Sequence, residues 1–145
     1  GFLQQAFTTT QQAKIAETTV DNSAESTTDT GNNITKASSY ACDNTTDKIF
    51  LLSEKEATTT EYGFGAYNAA GNGNSRIRKP TDYAKANNCY TYENDDSANG
   101  GLWRLRSPFS NRLNTRSVNK DGNPNYSTDL RYTYIFILPA LFVTK

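Results

Sequence analysis

The chain has 145 residues, 35% of them hydrophobic and 12% aromatic, with 15 Lys and Arg balanced by 15 Asp and Glu, no His and a mean hydropathy of -0.74. That length suits one domain, 1–145, and zero net charge argues against the basic face that nucleic-acid binding needs. No apolar run is long enough to span a bilayer, and polarity carried by Thr, Asn, Ser and Gly with many aromatics is not the high-charge, aromatic-poor signature of disorder.

Gly1 ahead of FLQQAF reads as an added residue, so the native N-terminus is expected upstream. The stretch AFTTTQQAKIAETTV reads as a helix capped by Thr9 or Thr10, with Ala13, Ala16 and Val20, and Ile15 beside them, as its apolar stripe. Asp21 to Ser39 is Ser, Thr, Asn, Asp and Gly and predicts a long surface loop. In DKIFLLSEKEATTTEYGF, KIFLL reads as a buried strand, and Ser53 with Glu56 three residues on forms a capping box opening a short helix from Glu54 to about Thr60. Glu54, Glu56 and Glu61 are then expected to cap and to face solvent.

GFGAYNAAGNGN departs from the dinucleotide-binding spacing and is read as loop. Arg76, Arg78 and Lys79 form a small basic cluster, expected as a solvated rim, before a short helix TDYAKAN opened by Pro80 and Thr81. ENDDSANGG is a polar turn. In LWRLRSPF, Trp103 and Leu105 are expected inward, with Leu102, Arg104 and Arg106 on the other face. Asp121 to Asn123, DGN, signals a hairpin between TRSVNK and PNYSTD. YTYIFILPALFVTK predicts a strand, a break at Pro139 and a last short strand. In that strand Ile135 and Ile137 are expected to be less exposed than Tyr132 and Tyr134. The sum is an α+β domain of short strands, two or three small helices and long polar loops.

Catalysis finds little support. Without His there is no triad base, and no carboxylate pair stands in an acid and nucleophile context; Asp95 and Asp96 sit together in a Gly/Asn turn. Cys42 and Cys89 are too few for a disulfide framework or a zinc site; they either pair across the fold or are two buried thiols. ENDD and NKDGN are oxygen-rich, but the paired acid and amide motif of calcium-dependent sugar binding is absent, and no metal or other cofactor is expected. Asn33 in NIT and Asn125 in NYS match a glycosylation pattern.

The blocks TDKIFLLSEKEATTTEYGF, KPTDYAKANNCY, GGLWRLRSP, VNKDGN and LPAL, in this order, resemble a family of domains of unknown function common in bacterial, especially gut-associated, surface proteins. That family looks like a branch of the C-type-lectin-like fold, which also includes formylglycine-generating enzymes and the variable proteins of diversity-generating retroelements. Its tryptophan block often has two adjacent aromatics, where this chain has Trp103 and Arg104. The enzyme branch needs a reactive cysteine pair late in the chain, and both cysteines here precede the tryptophan block, so that activity does not carry over.

The resemblance implies a reason for an oddity of composition. Residues 111–138 contain no Glu, Gln, Met or Trp, and only Lys120 is a residue that erroneous copying of template adenines cannot reach from an AAC codon. Such a segment is expected to be a diversified binding surface for a protein or glycan, on a terminal module of an exported or phage-borne protein; the alternative is a structural or adhesion module of a surface protein with a fixed, non-diversified self-association surface. Tyr offers large rigid contacts and Arg charge-assisted hydrogen bonds. The expected contacts are Arg104, Asn111, Arg112, Asn114, Arg116, Tyr126, Asp129, Arg131, Tyr132 and Tyr134.

Overall fold

A computed structural model describes residues 1–27, 40–67, 75–91, 100–109, 113–124 and 126–144. In chain order these form α1 (Phe2–Ala6), α2 (Thr9–Lys14), β1 (Thr18–Val20), α3 (Ala24–Thr27), β2 (Thr45–Asp47) and β3 (Phe50–Leu51). Next come two 3-10 turns, Glu56–Thr58 and Thr60–Tyr62, then α4 (Asp82–Ala86), β4 (Trp103–Pro108), β5 (Asn114–Val118), β6 (Tyr126–Asp129), β7 (Phe136–Ile137) and β8 (Pro139–Ala140). The architecture mixes short helices with open sheets, as an α+β reading requires. The greater parts of GFGAYNAAGNGN, of ENDDSANGG and of the segment after Thr27, together with Asn33, Asp95, Asp96 and Asn125, lie outside the described residues.

The N-terminal helix is shorter than its sequence suggests. Thr8, rather than Thr9 or Thr10, caps it: its hydroxyl accepts from Gln11 N at 3.3 Å, while Gln11 Oε1 accepts from Thr8 N at 2.8 Å. The helix stops at Lys14. Ile15 turns extended to bridge Val143, and the β-branched run Thr18–Val20 enters a strand antiparallel to β2. The polar stretch after Val20 is not all loop either, because Ala24–Thr27 closes a helical turn and buries Thr27.

The capping box at Ser53 forms as its spacing predicts: Ser53 N donates to Glu56 Oε2 at 2.8 Å and Glu56 N to Ser53 Oγ at 3.0 Å. It opens onto the two 3-10 turns instead of a helix to Thr60. The threonine hydroxyls explain this, since Thr58 Oγ1 bonds Glu54 O at 2.9 Å and Thr59 Oγ1 bonds Lys55 O at 2.7 Å, competing with helical amides. Gly63, at φ 80, ends the second turn in a conformation that favours glycine. Thr81 caps α4, accepting from Ala84 N at 3.2 Å.

The main sheet runs β6-β5-β4-β7, with β7 parallel to β4 and the other pairs antiparallel. β5 and β6 are the expected hairpin. In its turn Asn119 Oδ1 accepts from Asp121 N at 3.0 Å and Asn123 N at 2.9 Å, and Gly122 takes φ 76. Alternation along β4 points Trp103, Leu105 and Ser107 inward and leaves Arg104 and Arg106 half-buried on the other face. Leu102, expected among the arginines, is buried, because it precedes the strand and its alternation. Trp103, Leu105, Val118 and Ala57 form the core, with Leu52, Phe136 and Leu138 packed around them. The Trp103 indole N–H donates to Arg76 O at 3.1 Å.

Three charged groups expected at the surface lie inside. Glu54 is fully buried and pairs with Arg116, Nε to Oε2 3.3 Å, while the Arg116 guanidinium sits 4.4 Å over the Phe109 ring. Glu54 N also donates to Ser107 Oγ at 2.7 Å. Arg76 is buried: its Nε donates to Gly122 O at 2.7 Å and its Nη1 to Gly65 O, so it staples three loops instead of forming a solvated rim. Glu56, half-buried, chelates Arg106 through both oxygens besides capping. The cysteines are unpaired, Cys42 exposed and Cys89 half-buried, which corrects both the disulfide and the buried-thiol expectation.

Candidate functional site

The outward face of the main sheet carries one cross-strand row, Tyr126–Ser117–Arg104–Ile137, set by the pairings Ser117↔Tyr126, Arg104↔Ser117 and Arg104↔Ile137. Arg104 reaches across this face. Its Nη1 donates to Thr115 Oγ1 at 2.8 Å, and its Nη2 donates to both Asp129 O and Tyr132 O at 3.1 Å. The planar fork thus ties β4 to β5, to the end of β6 and to the turn that carries Arg131 and Tyr132. Expected as a contact residue, Arg104 acts here as a strut.

The turn it holds is built around Asp129. One carboxylate oxygen accepts from Arg131 N at 2.8 Å and Nε at 3.0 Å, and the other from Nη2 at 2.6 Å. These bonds to the Arg131 guanidinium and amide hold the Asp129 carboxyl at about 2, and the same pairing raises Arg131. The Arg131 side chain stays 76% exposed and Asp129 only 15%.

Beyond the turn stands a row of rings. Tyr132 stacks on Tyr134 with centroids 5.0 Å apart and planes at 21°, and Tyr134 meets Tyr90 at 5.7 Å and 40°. Tyr90 N donates to Tyr134 O at 2.7 Å, fixing the loop after α4 against the turn before β7. All three rings remain exposed, as does Tyr126. Partial removal from water, then the neighbouring Tyr132, Tyr90, Asp129 and Tyr126, push the Tyr134 phenol above its ordinary value, so it stays a protonated donor.

Of the expected contacts, Tyr126, Asp129, Arg131, Tyr132 and Tyr134 therefore gather with Arg104 on one side. Asn114 is half-buried, donates to Ser127 Oγ at 2.7 Å and lines a separate cleft of about 280 Å3 with Tyr40, Cys42, Arg106 and Leu130. Arg116 is corrected outright: its side chain points from the inner face to Glu54 and is unavailable to a ligand. Asn111 and Arg112 lie outside the described residues.

Ile137 is a further correction, 56% exposed against 47% for Tyr132 and 38% for Tyr134, although Ile135 is buried as expected. The strand begins only at Phe136, which packs inward, so alternation sends Ile137 out. Tyr90 is not among the contacts expected from the sequence; an aromatic directly after a helix-ending NNC turn is the signal that marks it. Also unanticipated is a groove of about 220 Å3 lined by Phe50, Tyr62, Phe64 and Phe142.

Among the described residues no group of three His, Cys, Asp or Glu is placed to hold a metal ion, and no helix is long and apolar enough to cross a membrane. A family model for a domain of unknown function, DUF6273, matches residues 1–145, and the chain belongs to that family. No curated protein and no solved structure matches it.

Proposed function

We propose that this DUF6273 domain is a display or adhesion module of C-type-lectin-like fold, without catalysis or cofactor, whose C-terminal segment binds a protein or glycan and is varied through a retroelement template. Its place is the outside of a bacterial cell or a phage particle, at the end of a longer protein. The observation that carries this reading is the gathering of Tyr126, Arg131, Tyr132 and Tyr134, all exposed, on the face that Arg104 braces. Rigid aromatic and Arg side chains on a well-packed frame are the make-up of a binding surface.

Diversification of this kind must spare the frame. Arg116, Ser117, Val118, Gly122, Pro124, Thr128 and Ile135 are buried, so among the described residues variation concentrates at the exposed Leu113, Asp121, Asn123, Tyr126, Leu130 to Tyr134 and Ile137. Sequencing copies of the coding locus across related strains tests this. Differences concentrated at those exposed codons, beside a reverse transcriptase gene and a near-copy template, are expected.

The aromatic groove favours a second reading, a fixed self-association surface. Phe142 packs at 5.8 Å on Phe50 and 6.5 Å on Tyr62, yet Phe142 and Val143 stay exposed. Identical late segments across strains, with a dimer that Phe142→Ser dissociates, support that alternative instead.

A further inference from the structure

We infer that Asn119 and Asp129 are positioning residues: each works with an arginine from outside residues 111–138 to hold one loop of that segment through main-chain atoms, leaving the exposed side chains around it free to differ. In the hairpin turn, Asn119 Oδ1 accepts from Asp121 N at 3.0 Å and Asn123 N at 2.9 Å, and Gly122 N donates to Asn119 O at 3.0 Å. From outside, Arg76 Nε donates to Gly122 O at 2.7 Å and Gly100 N to Lys120 O at 3.2 Å. The turn before β7 repeats the pattern. Asp129 Oδ1 accepts from Arg131 N at 2.8 Å, and Tyr132 N donates to Asp129 O at 3.2 Å. From outside, Arg104 Nη2 donates to Asp129 O and Tyr132 O, and Tyr90 N to Tyr134 O.

Every residue offers the same carbonyl and, proline apart, the same N–H. Bonds that end on those atoms survive a change of side chain. Residues 130–134 are all exposed, and their hydrogen bonds to the rest of the described fold use main-chain atoms. Arg131 alone adds side-chain bonds, and these end on Asp129. Asn119 and Asp129 differ from their neighbours because a short side-chain acceptor must reach the N–H two residues on. Asn and Asp supply it, Ser and Thr do so more weakly, and Ala lacks it.

This reassigns Asp129, expected as a ligand contact. It is 15% exposed against 76% for Arg131, so the acid lies behind and the guanidinium in front. Asn and Asp are both residues that an AAC codon encodes or readily becomes, so composition alone places 119 and 129 among changeable positions. The turn geometry holds them to Asn or Asp. The assignment goes beyond the display reading and applies equally to a surface that does not vary.

Amide hydrogen exchange of the whole chain by NMR, corrected for neighbouring side chains, tests it. Asp129→Ala should quicken exchange at the residue 131 amide about ten-fold, and Asn119→Ala at the 121 and 123 amides by as much, the loss of one hydrogen bond each. Asp129→Asn and Asn119→Asp keep the acceptor and should stay within about three-fold of the wild-type chain. A chain with Leu130→Ser, Arg131→Ser, Tyr132→Ser, Thr133→Ser and Tyr134→Ser together should also stay within about three-fold at the amides of 131, 132 and Tyr90, a readout independent of the alanine variants. Adding Arg104→Met to that chain should quicken residue 132 exchange.

Unchanged exchange in the alanine variants overturns the assignment, as do conservative variants that exchange as fast as the alanine ones. Rapid exchange throughout 131–132 and at Tyr90 in the five-serine chain overturns it too, since the side chains would then hold the turn. Any of these results leaves the display reading standing, whereas identical late segments across strains remove that reading and leave the positioning roles intact.

Discussion

Arginine serves two opposite ends in this domain. On the inner side of the main sheet, Arg116 and Arg76 are buried, one paired with Glu54 over Phe109 and the other stapling Gly122 and Gly65. On the outer side, Arg104 braces a surface turn and Arg131 stands 76% exposed next to the exposed Tyr132. Residue type alone does not separate frame from surface. The face of the strand and the identity of the partner do.

Changes on the inner side should cost most. Removing one member of the buried pair, by Glu54→Ala or Arg116→Ala, should lower stability by about 3–5 kcal/mol in urea unfolding, since a charge is left inside without its partner. Replacing both with apolar residues of similar volume should recover most of that loss. Gly101→Val comes next. A Cβ there would lie 2.5 Å from Phe136 Cε1, and making room for it should cost about 1–3 kcal/mol and disturb the ring that seats β7.

Arg104→Lys sits at the border of the two regions. A lysine keeps the charge but cannot fork to Thr115, Asp129 O and Tyr132 O together, so stability should fall by about 1 kcal/mol. Hydrogen exchange should quicken in the turn from Asp129 to Tyr134 and stay unchanged in β5. Acid titration is gentler still. Asp129 titrates at about 2 in the fold, below its ordinary value of 3.8, so its bonds to Arg131 are fully present above that ordinary value and fade as pH falls from there toward 2. Asp129→Asn should remove that acid-limb dependence in a melting-temperature profile. The smallest effect is expected for Tyr132→Ala, whose melting should shift by under about 0.5 kcal/mol equivalent, because no core contact is lost.

Local grammar was legible. The Ser53/Glu56 box, the Thr81 cap, the DGN turn and the inward Trp103 and Leu105 each depend on neighbours a few residues away, and each reads directly from the chain. Partnerships across the fold were not. Glu54 looks like a capping acid until β5 brings Arg116 against it, and Tyr90 looks incidental until the turn before β7 lays Tyr134 beside it. Ile137 misled through register: the alternation counted from Tyr132 does not apply, since residues 131–135 form turns and bends and pairing starts at Phe136. Four of the ten expected contacts, Tyr126, Arg131, Tyr132 and Tyr134, are exposed as a contact must be, whereas Arg116 needed the sheet to show its direction.

The division of the late segment into a buried frame and an exposed, changeable surface is tested most directly by a saturation scan of residues 113–137, scoring folded protein displayed on cells. Free substitution at Leu113, Tyr126, Leu130, Arg131, Tyr132, Thr133, Tyr134 and Ile137, with intolerance at Arg116, Ser117, Val118, Thr128 and Ile135, is the expected map. Free substitution at Arg116, Val118 and Ile135, or intolerance along Leu130 to Tyr134, would contradict it.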